Sequence, residues 1–260
     1  MTISETSGAN PIRRRDALLN IPVFGSIFGV AVVFAILVVW IVAAAATGGG
    51  KVFADPDRLA NTIQSSFYAN MAIIGGFYVP VMWLMWRAAK RFTPHPIGWF
   101  YARVSPLIAA LGLLAGVAYS GLCLVTENFL TRRYGIDFNV GGMAAIFPKT
   151  PAELALGLFV IGVLAPFAEE WYFRGFLLRW LRQSMSATVA VVITAVVFAL
   201  VHFFMLLQPG GAGWVSTGEV VVMALVMAAW ALRSGSLWPS FAIHLGYNAV
   251  VVVHMFLAPA

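Results

Sequence analysis

Of the 260 residues, 61% are hydrophobic and 10% are charged, against about 45–50% and about 25% in ordinary soluble domains. No soluble fold of this length hides so large an apolar share. The net charge of +6 is scattered between hydrophobic blocks instead of forming a basic face with aromatic platforms, which excludes a nucleic-acid binder.

The apolar residues fall into blocks: Ile21 to Ala46, Phe67 to Trp86, Pro106 to Val125, Ala152 to Phe167, Ala187 to Leu207, Val220 to Leu232 and Leu237 to Leu257. Most approach the roughly 20 residues that span a bilayer core. The expected fold is all-α, a polytopic transmembrane helix bundle of seven spans. It becomes eight if Val140 to Phe147 forms a re-entrant helix or the last block breaks at Pro239.

Residues 1–20 are polar and read as a disordered cytoplasmic tail. The first block follows Arg13, Arg14 and Arg15, but its apolar run exceeds the roughly 7–15 residues of a signal core, so it is expected to stay as an anchor. Gly112, Gly116 and Ser120 in the third block recur every four residues, the spacing of small residues at membrane helix contacts. Cys123, the single cysteine, excludes an intramolecular disulfide or a cysteine metal cluster. Between Leu122 and Leu124 it reads as a packed core residue.

Seven alternating spans put Arg13, Arg14, Arg15, Arg87, Lys90, Arg91, Arg103, Arg174, Arg179, Arg182 and Arg233 on one side, and Lys51, Arg58, Arg132, Arg133 and Lys149 on the other. The positive-inside rule then makes the N-terminus cytoplasmic. The expectation is a multi-pass protein of the cell membrane, surrounded by membrane lipids, and with no eukaryotic targeting signal a bacterial inner membrane.

Ionisable groups at bilayer depth are costly, and each is a functional hypothesis. They are Glu169, Glu170 and Arg174 at the end of the fourth block, His202 in the fifth, Glu219 opening the sixth, and His244 and His254 in the seventh, with Asn248 beside them. Glu170 and Arg174 lie four apart on one helix face and can pair, whereas Glu169 points about 100° away. His244 and Asn248 also share a face. A hairpin turn near Gln183 to Ala187 brings Glu169 level with His202. Glu219 and His254, near the outer boundary, and His95 in a Pro-flanked loop read as structural.

Three motifs then stand in order. Glu169-Glu170-Trp171-Tyr172-Phe173-Arg174 resembles the E-E-x-x-x-R motif of the CAAX-protease and bacteriocin-processing (CPBP) family of membrane peptidases, which includes the type II CAAX prenyl endopeptidases. Phe198-Ala199-Leu200-Val201-His202 resembles its F-x-x-x-H motif, and His244-Leu245-Gly246-Tyr247-Asn248 its H-x-x-x-N motif. The similarity covers roughly residues 150–255, so residues 21–149 read as N-terminal transmembrane helices without a motif and 150–257 as the catalytic helix bundle. The resemblance implies hydrolysis of a peptide bond in a peptide or membrane-protein substrate. Glu169 would activate water with His202 beside it, and His244 and Asn248 would stabilise the oxyanion. Glu170, Arg174 and Phe198 would support the site.

Those residues can supply a base, oxyanion donors and an acid. Glu169, His202 and His244 could instead hold zinc with an open position, yet the H-E-x-x-H pair of helical zinc peptidases is absent, so metal-free chemistry is favoured. A rhomboid-type serine site lacks its first glycine at Ala118-Tyr119-Ser120-Gly121, and no aspartate lies within a block to make an aspartyl pair. Three further functions stay open: a non-enzymatic immunity or scaffold protein that kept the fold, a transporter or proton relay, and a haem protein using His202 and His244. Arg174→Ala is expected to impair folding and Asn248→Ala to spare it. Glu169 stands about 15 residues, roughly 22 Å of helix, from the turn near Ser184, and His244 about 10 residues, roughly 15 Å, from the turn near Ser234. The first hairpin is therefore expected to protrude or bend by roughly 7 Å on the cytoplasmic side, where the site should open.

Overall fold

The computed structural model describes residues 37, 41, 66–90, 104–138, 146–202, 206 and 211–257. The first apolar block lies outside these except for Leu37 and Ile41, both helical and exposed. The stretch Val140 to Phe147 is described only from Ile146 onward.

The described residues form six helices and no strand. They are α1 (Phe67–Ala89), α2 (Pro106–Tyr134), the rod α3 (Pro151–Leu181), α4 (Ala187–Val201), α5 (Ala212–Ser234) and α6 (Trp238–Leu257). All but α4 are long and apolar enough to cross a membrane. Helix α4 is shorter than its apolar block because it ends at Val201. There His202 turns back, its ring Nδ1 bonding the carbonyl of Phe198 at 2.8 Å and meeting one of the acceptors that a helix end leaves open.

Local chemistry sets the ends. Thr150 and Glu153 form a reciprocal capping box ahead of Pro151, which occupies a first-turn position where no N–H is needed. Gly235 closes α5 at φ 68°, a left-handed conformation that L side chains rarely adopt. The short link to α6 follows, held by Arg179 Nη2 on the Gly235 carbonyl at 3.2 Å.

The rod is not uniform. Leu158–Leu164 and Trp171–Leu177 are π-helical and flank the α-helical Ala165–Glu170. Wider i→i+5 turns advance less along the axis per residue, so the π stretch between Glu170 and the turn shortens the arm that α-helical arithmetic made too long.

Helix α2 packs most closely on α6. A Cβ on Gly112 would meet the Pro239 carbonyl at 2.8 Å, one on Gly116 would overlap the Ile243 carbonyl, and one on Gly246 would meet the Leu113 carbonyl at 2.5 Å. Backbones approach here because there are no side chains between them, and Ser120 continues the same buried stripe. Gly112 faces Pro239 and Gly116 faces Ile243, so α2 and α6 run parallel. The rod runs against α6, with Gly157 near Val252 and Phe167 on Phe241. Parallel α2 and α6 require an even number of reversals, and the four turns between them make one only if the short α4 counts as one alternation of the chain. Arg87, Arg179, Arg182 and Arg233 consequently share one end of the bundle, as the alternation predicts. Arg87 lies over Trp83 at 5.4 Å and Lys90 over Trp86 at 5.0 Å, basic and aromatic groups suited to the headgroup level.

Candidate active site

Arg174 is fully buried on the rod, and its contacts reach two other helices. Its Nη1 bonds Glu170 Oε1 at 2.8 Å one turn back, and its Nη2 donates to the Ala224 carbonyl of α5 at 3.2 Å. The guanidinium also lies 4.5 Å from the centre of the Phe198 ring on α4, a cation–π contact. Glu170, equally buried, passes the link to α6, because His244 Nδ1 stands 3.0 Å from the same Oε1. The expected pairing of Glu170 with Arg174 is therefore present, and it is enclosed.

His244 stands between the two glutamates. Its Nδ1 faces Glu170, and its Nε2 is 3.7 Å from Glu169 Oε2. A carboxylate beside one ring nitrogen fixes which nitrogen carries the proton and how the ring is turned. The distance to Glu169 exceeds a hydrogen bond and is a gap that one water can bridge. Glu169 Oε2 is buried without a hydrogen-bond partner. His244, from α6, thus stands beside Glu169.

His202 is held differently. A carbonyl can only accept, so the bond to Phe198 places the proton on Nδ1 and, in the neutral ring, the lone pair on Nε2. Phe198 joins the two histidines, with ring centres 4.7 Å from His202 and 5.8 Å from His244. That buried ring, covered on a further side by Arg174 and Phe173, is the floor on which the motif residues meet.

Asn248 has a partner of its own. Its Nδ2 donates to the Ile161 carbonyl at 2.8 Å. The reason lies in the rod, where Ala165 N–H reaches back five residues to Val160. The next donor in that series would be residue 166, but Pro166 has no N–H, which leaves the Ile161 carbonyl for Asn248. Asn248 is one turn beyond His244, so a proline in the rod fixes the rotamer of a residue beside the histidine.

Sequence reasoning missed Tyr78. This residue of α1 donates its phenolic hydrogen to Glu169 Oε1. Tyrosines favour the membrane interfaces, and one in the middle of an apolar block was the available signal. The Ala224 and Ile161 carbonyls left none, since any residue supplies a carbonyl. Of the residues read as structural, Glu219 accepts the Tyr119 hydroxyl on its backbone carbonyl at 2.8 Å, and His254 is exposed.

Zinc would need Glu169, His202 and His244 to act as one set of donors. Among the described residues no three His, Cys, Asp or Glu side chains are gathered as a metal site. No chemical step is derived through a metal ion.

Residues 151–250 match the family described as Type II CAAX prenyl endopeptidase Rce1-like. The match spans all three motifs, so the resemblance read from them is shown, and it relates this part of the chain to intramembrane proteases of the CAAX-processing type. No curated protein and no solved structure matches the chain. The membrane setting agrees with the five long apolar helices.

Proposed function

We propose that this protein is an intramembrane endopeptidase in which Glu169 activates water without a metal. The observation that carries the reading is the position of His244, 3.7 Å from Glu169 and 3.0 Å from Glu170. A water between Glu169 Oε2 and His244 Nε2 would touch a base on one side and a ring nitrogen oriented by Glu170 on the other. Glu169 takes the water's proton as the oxygen attacks the peptide carbonyl, then returns it to the leaving nitrogen.

Two donors are assigned to the oxyanion. His244 supplies Nε2–H when its ring carries both protons, with Nδ1–H turned to Glu170. Asn248 supplies the second hydrogen of the amide nitrogen whose first is held by Ile161. His202, with Nδ1 bonded to the Phe198 carbonyl, lies on the same Phe198 ring as His244. Glu170, Arg174 and Phe198 support the site without touching the reacting atoms.

A peptide carrying a farnesylated C-terminal CAAX box is the first probe, by similarity to the matched family. Purified full-length protein in detergent should cleave it, Glu169→Gln should not, and dialysis against a zinc chelator should leave the rate within about twofold, since no metal is used. Loss of activity on chelation with recovery on added zinc would overturn the metal-free mechanism.

A further inference from the structure

We propose that Tyr78 is a positioning residue for Glu169, so that α1 completes the active site. This rests on the reading of Glu169 as the base. The phenol of Tyr78 bonds one carboxylate oxygen, Oε1, while the other, Oε2, is the buried, unpartnered oxygen that faces His244. A carboxylate with both oxygens unheld can rotate about its last side-chain bond and lose the aim at the bridging water. Held at Oε1, it presents Oε2 to one place.

The hold is built into the packing. Tyr78 lies between Phe77, whose ring it meets edge-on at 5.2 Å, and the segment of α1 that packs on the rod through Val81 and Met85 against Trp171. Pro80 within α1 cannot donate to the carbonyl of Gly76, so the helix departs from regular bonding within two residues of Tyr78. Tyr78 also lies outside residues 151–250, the part matched to the family. The device thus belongs to a region where no motif marks function.

Tyr78→Phe keeps the ring and removes only the hydroxyl. In purified full-length protein, the carboxylate stretching band lost in Glu169→Gln identifies Glu169 by infrared difference spectroscopy. That band should move in Tyr78→Phe. With the farnesylated CAAX peptide, kcat should fall on the order of 10- to 100-fold, as for a misaimed catalytic group, with KM within about twofold. A Glu169 band at its wild-type frequency, or a wild-type kcat, would overturn the proposal. If wild-type protein cleaves no more of the peptide than Glu169→Gln does, it is the peptidase reading that fails on this probe, and the band alone decides whether Tyr78 holds Glu169.

Discussion

Arg174 and Glu170 show why the second glutamate of the motif is unsuited to be the base. Both are fully buried, and Glu170 Oε1 is shared by Arg174 and His244. Removing one partner of such a pair leaves a charge uncompensated, which typically costs about 3–5 kcal/mol. Arg174→Ala should therefore lower the melting temperature in detergent and the yield of folded protein. Equal stability with the wild type would contradict the structural role. For Asn248 the sequence-based expectation is that alanine spares folding, and the bond to Ile161 sets a cost against it. Asn248→Ala leaves the Ile161 carbonyl without its donor, at a cost of about 1–3 kcal/mol. Pro166→Ala restores a backbone N–H near that carbonyl, so the two substitutions should couple by on the order of 0.5 kcal/mol or more in a double-mutant cycle. Strict additivity would show that the proline and the asparagine are unrelated. Spacing alone put Glu170 with Arg174 and set His244 on one face with Asn248. It could not show that His244 reaches both glutamates at once, because that depends on how far each helix has travelled from its turn.

At the scale of elements, the sequence revealed which residues are helical better than where helices end or how tightly they turn. Charges from Glu169 to Arg174 interrupt the fourth apolar block, yet α3 runs through them to Leu181, since the charges are satisfied inside the bundle. Helix α4 stops at Val201, short of its block, and α5 begins at Ala212, well before the apolar run at Val220. The π-helical segments carry no periodicity that a hydropathy reading registers. The small-residue stripe was legible, and it makes a prediction. A side chain at Gly116 must displace the Ile243 backbone, whereas one at Gly121 meets nothing within 4 Å. Gly116→Leu should cost at least about 1–3 kcal/mol by overpacking and separate α2 from α6, with Gly121→Ala tolerated. Size-exclusion profiles and melting curves of the two variants check this, and an equally stable Gly116→Leu protein would contradict the packing.

For the whole molecule, alternation of helix direction follows from contacts such as Gly112 with Pro239 and Phe167 with Phe241. Reporters fused after Lys90, Ser184 and Ser236 should appear on one side of the membrane, and a reporter after Gly135 on the other. The bundle brings together Tyr78, Glu169, Phe198 and His244 from four separate helices, three of them within the family match and one before it. The central claim is that this assembly hydrolyses peptide bonds through Glu169. Its most direct test works whatever the substrate is: protein termini are compared in membranes of cells making wild-type protein or Glu169→Gln at equal levels. New termini next to hydrophobic segments should appear only with the wild type, and identical sets of termini would contradict the claim.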